Sequence, residues 1–223
     1  MHTWFNYDDF NVVSKAAADF IAKEIETCLS RKDICHVILS GGNTPQVCLQ
    51  NLAGKNLPWG KIHWYLGDER CYPRAHPDRN DVMLDKNLWS LIGKKNIHLI
   101  QTELGAEKAA ELYRDEIAKV DYFDIAFLGM GEDGHTASLF PENKALDDNR
   151  SVVPVFDSPK PPSDRVSLSL QTLSNAHCRV VLASGSSKAE IIQRVKEGEV
   201  LPINRIGAIN WFIDQDALSM GKF

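Results

Sequence analysis

The stretch His36-Val37-Ile38-Leu39-Ser40-Gly41-Gly42-Asn43-Thr44-Pro45 decides the fold of this chain. It begins with a short apolar run, which is typical of a buried strand. Two glycines follow at once and a proline then opens a helical pattern, so the stretch predicts a strand, a tight turn and a helix. A parallel sheet with packed helices is built by repeating this unit.

The same unit recurs along the chain. Apolar residues at three- and four-residue steps predict an amphipathic helix over residues 9–31. Further helices are predicted over residues 81–89, capped by Asn80, and over residues 106–119 and 187–196. Further strands are predicted at residues 62–66, 97–100, 123–128, 152–155, 166–170, 179–183 and 209–213. The alternation predicts an α/β fold, in which a mostly parallel sheet carries helices on both faces.

The composition is that of a globular protein. The chain has 223 residues, of which 43% are hydrophobic and 25% charged, so it can bury a full core. Residues 141–164 have low periodicity and several prolines, which indicates an irregular surface connection. Because the sequence contains neither a linker nor an internal repeat, residues 1–223 are expected to form a single domain.

Three features indicate a cytoplasmic protein. The longest apolar runs fall far short of the roughly 20 residues that a membrane span needs. The amino-terminal residues 1–10 include two aspartates and neither lysine nor arginine, which is unlike an export signal. Five cysteines form an odd set with no CxxC pair, which argues against a disulfide framework and against a zinc site. We therefore expect no membrane partner and no bound metal.

The charge of the chain argues against a nucleic-acid partner. The net charge is −5, and no run of Lys or Arg is long enough to follow a phosphate backbone. A small anionic ligand would need a few placed cations and backbone N–H groups. The search therefore narrows to loops, and in a parallel sheet the ligand-binding loops lie at the carboxyl ends of the strands.

Residues 40–45 form the first candidate loop. The N–H groups of a glycine turn and the dipole of the following helix favour an anion, so this loop is a candidate phosphate cradle. Its residues would be Ser40, Gly41, Gly42, Asn43 and Thr44. An ordinary tight turn between a strand and a helix explains the same sequence equally well.

A second loop, Gly129-Met130-Gly131-Glu132-Asp133-Gly134, has the spacing of a dinucleotide-binding motif. Its charge argues against that function, because Glu132 and Asp133 would lie beside a pyrophosphate. Pro141 also interrupts the long helix that such a motif requires. We therefore expect no nucleotide cofactor.

His135 follows this loop and is the candidate general base, since imidazole is the side chain best suited to proton transfer near neutral pH. Asp133 or Glu132 could orient it. A solvated loop histidine is the structural alternative. The neighbouring glycines and carboxylates at the end of a strand favour the catalytic interpretation.

Charged residues mark three more positions. Asp68-Glu69-Arg70 ends the strand predicted at residues 62–66 and is either a solvated turn or part of the site. Arg165 and Lys188 are the candidate cations. Lys188 is expected in the first turn of a helix, where a cation opposes the helix dipole unless an anion binds beside it.

These segments, in this order, resemble the 6-phosphogluconolactonases, within the superfamily that also holds the glucosamine-6-phosphate deaminases. The resemblance spans nearly the whole chain and is most specific at Leu128-Gly129-Met130-Gly131-Glu132-Asp133-Gly134-His135-Thr136-Ala137-Ser138-Leu139-Phe140-Pro141. It implies a modified Rossmann-like domain that acts without a cofactor. It also implies hydrolysis of 6-phospho-D-glucono-1,5-lactone to 6-phosphogluconate in the pentose phosphate pathway.

The resemblance further implies a role for each site residue. His135 would be the general base. The glycine loop, Arg165 and Lys188 would bind the phosphate, and Asp68 and Arg70 would shape the sugar end. The partner would be a small sugar-phosphate lactone, and the oligomeric state stays open, a homo-oligomer included.

Two other functions are weighed against the lactonase. A sugar-phosphate deaminase would share Asp-Gly-His but would continue differently in place of residues 138–141. A non-catalytic sugar-phosphate sensor would need an effector domain, for which the chain has no room. The chain also departs from the family at Arg79-Asn80, where Ser-Asn is usual, and at Tyr72-Pro73, where Val-Pro is usual. Arg79 is either an extra cation near the substrate or a solvated residue at a helix start.

Overall fold

The computed structural model describes residues 1–219. Among these residues, the strands of the main sheet are β1 Thr3–Tyr7, β2 Cys35–Leu39, β3 Ile62–Leu66, β5 Ile97–His98, β6 Ile125–Leu128, β9 Cys178–Ala183 and β10 Asn210–Asp214. They pair in the order β1-β10-β9-β6-β2-β3-β5, and every pair is parallel. The predicted parallel sheet is confirmed, whereas β1 was not predicted from the sequence.

The helices are α1 Phe10–Leu29, α2 Pro45–Ala53, α3 Asn80–Leu84, α4 Ser90–Ile92, α5 Ala106–Ile117, α6 Leu170–Ser174 and α7 Ala189–Lys196. A π-helical turn over Asp85–Trp89 joins α3 to α4. Helix α1 begins after Asp9, whose carboxylate accepts from the N–H groups of Asn11 and Val12 at 2.8 and 3.0 Å. No helix in residues 1–219 is long and apolar enough to cross a membrane.

Both faces of the main sheet are covered. All four residues of β6 are buried, and alternate side chains of a strand point to opposite faces, so neither face is open to water there. Helix α1 packs across β9 and β10. From α5, the hydroxyl of Tyr113 accepts from the N–H of Leu66 at 2.9 Å and donates to its carbonyl at 3.1 Å. The α/β fold with packed helices is thus confirmed.

A second, antiparallel sheet lies beside the first and was not predicted. Its strands are β4 Asp68–Arg70, β7 Val152–Val155 and β8 Arg165–Leu168, in the order β4-β8-β7. Only Gly67 separates β4 from β3. Its N–H donates to the Leu39 carbonyl and its carbonyl accepts from the Leu168 N–H, both at 2.8 Å. Three successive charges carry no strand pattern, which is why the sequence does not predict a strand at residues 68–70.

One predicted helix cap is wrong. Asn80 is the first residue of α3 rather than its cap, and the cap position belongs to Arg79, which makes no side-chain cap. Residue type alone favours asparagine as a cap, but here a carboxylate from β4 takes that place, as described below. The helix therefore begins one residue earlier than predicted, and the Asn80 side chain donates to Asp68 instead of capping the helix.

Candidate active site

The central strands end at one cavity. Strands β9, β6, β2 and β3 are neighbours and parallel, so their carboxyl ends meet at the same edge of the sheet. The loops that follow them enclose a cavity of about 450 Å³, a size typical of small-molecule sites. Strand β2 pairs with β3 on one side, which follows it in the chain, and with the later strand β6 on its other side. This reversal of strand order is where α/β sheets bind ligands.

His135 is held by the carboxylate two residues before it. Its Nδ1 lies 2.5 Å from Asp133 Oδ1, and the same oxygen accepts from the His135 N–H at 3.2 Å. Since a carboxylate can only accept, the neutral ring has its proton on Nδ1 and leaves Nε2 to accept another. Burial acts to raise the pKa of Asp133, but the hydrogen bond and charge of His135 outweigh it and lower that pKa to about 2. Asp133 is therefore ionised at neutral pH.

The glycines of this loop make room for the imidazole. A Cβ at Gly131 would lie 2.0 Å from His135 Nδ1, so a side chain there would displace the ring. Gly134 has a φ of +81°, which glycine adopts without strain. The ring of Phe140 packs against the imidazole with their centroids 4.4 Å apart. The ring is therefore fixed on the cavity wall.

Asp68 is a buried carboxylate in a network that joins distant segments. Its Oδ2 accepts from the hydroxyl of Ser138 at 2.6 Å, and its Oδ1 accepts from Nδ2 of Asn80 at 3.1 Å. Nη1 of Arg165 donates to the same Ser138 hydroxyl at 3.4 Å. A buried carboxylate is tolerated when its oxygens accept hydrogen bonds in this way. Asp68 therefore has a fixed orientation at the cavity.

Four cations line the cavity among the described residues: Arg70, Lys160, Arg165 and Lys188. Arg70 and Arg165 face each other across β4 and β8, where like charges repel. Burial lowers the pKa of Arg165, and burial also lowers the pKa of Lys188, with Lys160 adding to the effect. An anion in the cavity would relieve this repulsion.

The glycine turn after β2 presents open donors to the same cavity. Gly42 has a φ of +101°, and a Cβ at Gly41 would lie 1.8 Å from Asn80 Oδ1. The Ser40 hydroxyl is buried and bonds to no described residue. Thr44 precedes α2 without capping it through its side chain. Pro45 has no N–H group, and the Gln46 N–H donates to the Asn43 carbonyl at 3.3 Å. The donors left for a ligand are therefore the N–H groups of the glycine turn itself.

The cavity brings together ten of the eleven site residues indicated by the sequence: Ser40, Gly41, Gly42, Asn43, Thr44, Asp68, Arg70, His135, Arg165 and Lys188. The eleventh, Asp133, contacts His135 as described above. Neither Lys160 nor the position of Ser138 beside Asp68 was recognised from the sequence. Ser138 lies in the motif that carries the family resemblance, so its place in that motif was the available signal.

Lys160 lies in the segment that the sequence marks as a surface connection. Nη2 of Arg165 donates to the carbonyls of Lys160 and Pro161, each at 3.0 Å. These bonds hold residues 160–161 over the cavity, so this part of the connection forms a wall of the site. A proline-rich stretch without periodicity carries no sequence signal for such a contact.

Arg79 has neither of the two roles considered from the sequence. It is 2% exposed and lies outside the cavity. Its Nη2 donates to Asp81 at 2.7 Å and its Nη1 donates to Thr102 at 2.8 Å and to the Tyr72 carbonyl at 3.0 Å. Arg79 therefore ties together the loop between β4 and α3.

One group of potential metal ligands occurs elsewhere in the described chain. Sulfur atoms of Cys28 and Cys35 and an oxygen of Asp124 lie within 4.8 Å of one another. They lie at the amino ends of β2 and β6, whereas the cavity lies at the carboxyl ends. The Asp124 carboxylate already pairs with the ammonium of Lys32 at 2.7 Å, and burial raises the pKa of both thiols. The Asp124 carboxylate of this group therefore belongs to a structural ion pair.

The fold and the site together define an α/β enzyme in which a histidine–carboxylate pair lies at a cavity lined by four cations. The family model described as glucosamine-6-phosphate isomerases/6-phosphogluconolactonase matches residues 8–211. The chain belongs to this family.

Individual relatives agree with this assignment. A probable 6-phosphogluconolactonase of Schizosaccharomyces pombe is 30% identical over 240 residues, which cover 96% of this chain and 93% of the relative. The GDH/6PGL endoplasmic bifunctional protein of Homo sapiens is 36% identical over 92% of this chain, which spans only 29% of that protein. The crystal structure of a 6-phosphogluconolactonase from Thermotoga maritima matches with a TM-score of 0.90 and 30% identity, covering 96% of this chain and 100% of that one.

The Gly131→Ala variant tests the placement of His135. Because the new Cβ would overlap the imidazole, we expect a folded protein whose kcat is lower by about a hundredfold, as for other small misplacements of a reacting group. Turnover on the substrates of the two family activities and the melting temperature measure the effect. Gly60→Ala is the control, since no atom lies within 4 Å of a Cβ there. Normal turnover in Gly131→Ala would show that the ring position is not critical.

Proposed function

We propose that this protein hydrolyses 6-phospho-D-glucono-1,5-lactone to 6-phospho-D-gluconate, a step of the oxidative pentose phosphate pathway. The observation that carries the proposal is a single cavity lined by His135, its carboxylate partner behind it, and four cations. The relatives named 6-phosphogluconolactonase support this choice of substrate within the family.

The phosphate of the substrate is proposed to bind at the glycine turn, between Lys188 and Arg165. The turn offers its own backbone N–H groups ahead of α2, and the lysine and arginine supply charge-assisted hydrogen bonds. Lys160 adds a third positive charge at the wall formed by residues 160–161. The net charge of the chain is −5 and would repel an anion weakly. The cavity offsets this repulsion, because it presents a local excess of positive charge.

His135 is proposed to activate water. Its Nε2 takes a proton from a water molecule while the water oxygen forms a bond to the lactone carbonyl carbon C1. The tetrahedral intermediate then collapses with cleavage of the bond from C1 to the ring oxygen. The imidazolium returns its proton to that oxygen, and the hydroxyl acid is released. Asp133 keeps the imidazole in the required tautomer and stabilises the cation that forms transiently.

Asp68 and Arg70 are proposed to bind the sugar end of the substrate. Asp68 is held by Asn80 and Ser138, so it can accept hydrogen bonds from sugar hydroxyls at a fixed position. Arg70 has a buried Nε that bonds to no described residue, which leaves a donor for the ligand. A lactone carbonyl is intrinsically electrophilic, so these steps require only side chains and we propose no cofactor.

A direct assay separates the two family activities. We expect the purified protein to release acid from freshly made 6-phosphoglucono-1,5-lactone above the spontaneous rate, and to release no ammonia from glucosamine 6-phosphate. A pH-indicator measurement and an ammonia assay on the same sample give both results. Ammonia release without lactone hydrolysis would replace the proposal with a deaminase, and absence of both would favour a binding protein.

The His135→Ala variant tests the base. We expect a folded protein whose kcat is lower by roughly a hundredfold or more, the usual contribution of a positioned acid–base group. The fall of wild-type kcat/KM on the acid side should disappear in the variant, because a protonated imidazole cannot accept the proton of water. Rates are corrected for spontaneous hydrolysis. His177→Ala, at an exposed histidine outside the cavity, is the matched control. If His135→Ala retains kcat or the acid limb, another group is the base.

The Lys188→Ala variant tests the phosphate subsite. We expect kcat/KM to fall by about 2 kcal/mol, or about 30-fold, more for the phosphorylated lactone than for glucono-1,5-lactone, which lacks the phosphate. Steady-state kinetics on both substrates provide the comparison. Lys144→Ala removes an exposed lysine outside the cavity and should change neither value. Equal losses on both substrates would assign Lys188 a structural role.

A further inference from the structure

Glu69 is a fully buried carboxylate that the proposed reaction does not use. It lies between Asp68 and Arg70 in β4. Because side chains alternate along a strand, Glu69 points away from the cavity that its two neighbours line. A buried carboxylate is unfavourable unless hydrogen bonds compensate its lost hydration. The groups that bind it therefore indicate its function.

Three backbone N–H groups donate to Glu69. Its Oε1 accepts from Arg70 and from Asn80, and its Oε2 accepts from Asp81, each at 2.8 Å. The last two are the first residues of α3, where N–H groups have no partner within the helix. Glu69 thus takes the place of a capping side chain, although it lies in a strand eleven residues earlier in the chain.

Asn80 connects this cap to the cavity. Its Nδ2 donates to the backbone carbonyl of Asp68 at 2.8 Å and to its carboxylate at 3.1 Å. The other side of the same amide lies against Gly41, where a Cβ would approach Asn80 Oδ1 to 1.8 Å. The backbone position of Asn80 therefore sets the place of both the Asp68 carboxylate and the glycine turn.

We propose that Glu69 is a positioning residue for the lactonase reaction: it holds the start of α3 so that Asn80 fixes Asp68 and the glycine turn around the substrate. The proposal rests on the proposed function, because its effect is on turnover. Glu69 itself does not contact the substrate. Its two oxygens accept from N–H groups of β4 and α3 and so hold them in one geometry. An amide side chain of the same size has only one such oxygen.

The electrostatic surroundings agree with this role. Burial, and next the nearby charge of Asp81, raise the pKa of Glu69 to about 7, against the lowering effect of the three N–H donors. The charge of Glu69 in turn acts to raise the pKa values of Arg79, Arg165 and Cys71, although other causes are larger for each. Ionising this buried carboxyl therefore carries a cost in hydration, and the three donors compensate part of that cost.

Two substitutions separate the two oxygens from the size of the side chain. In Glu69→Gln one oxygen is replaced by an amide NH₂, which cannot accept from a backbone N–H. The start of α3 then loses one of its bonds and meets a donor instead. In Glu69→Asp both oxygens remain on a stem that is one methylene shorter. The order of activity is therefore expected to be wild type, then Glu69→Asp, then Glu69→Gln.

The experiment measures kcat and KM of each variant on the phosphorylated lactone, and the melting temperature of each variant. We expect Glu69→Gln to lower kcat by about tenfold or more, with KM within about threefold of wild type, because the phosphate-binding cations are unchanged. Glu69→Asp should recover part of that loss in kcat. If Glu69→Gln does not fold, the kcat of Glu69→Asp decides, and a value at least about threefold below wild type supports the proposal.

Ser169→Ala is the matched control. Ser169 is a buried cap whose hydroxyl accepts from the Thr172 N–H at the start of α6, outside the cavity. Its removal should lower the melting temperature and leave kcat unchanged. If the Glu69 variants behave in the same way, Glu69 is only a structural cap and the proposal is overturned. Wild-type protein is assayed first, so a failure of the lactonase function itself appears there and not in the variants.

Discussion

Parallel hydrogen bonding between β9, β6, β2 and β3 is the constraint on which the site depends. Parallel strands must all run in one direction, so every loop that leaves a carboxyl end emerges at the same edge. Four such loops are adjacent here, and they carry residues separated by more than a hundred positions in the chain. No attraction among the functional side chains is needed to assemble them. Backbone pairing and the burial of both sheet faces bring charged groups together although these groups repel one another.

The short antiparallel sheet adds what the parallel sheet alone lacks. Strand β4 continues from β3 after one glycine and turns the chain toward β8. Alternation along β4 then divides its three charged residues between two environments. Asp68 and Arg70 face the cavity, and Glu69 faces the start of α3. Pairing with β8 places Arg165 opposite Arg70, so the pocket keeps an uncompensated positive charge that suits an anionic substrate.

The histidine–carboxylate pair is built differently, within a single loop. His135 and Asp133 are two residues apart, and tight turns at glycine allow the carboxylate to reach both the backbone and the ring of the histidine. This local construction explains why the pair could be predicted from the sequence. The Asp68 network is the opposite case, because Ser138 is 70 residues away from the carboxylate to which it donates.

The sequence by itself determined the alternation of strands and helices, the glycine turns and the histidine–carboxylate pair, since each depends on residues close together in the chain. It also supplied the family resemblance that named the remaining site residues. Only the tertiary structure decided the second sheet, the role of Lys160 as a cavity residue, the burial of Arg79, and the capping of α3 by Glu69. These features depend on contacts between segments distant in sequence, and a charged residue looks the same in sequence whether it meets water or a buried partner.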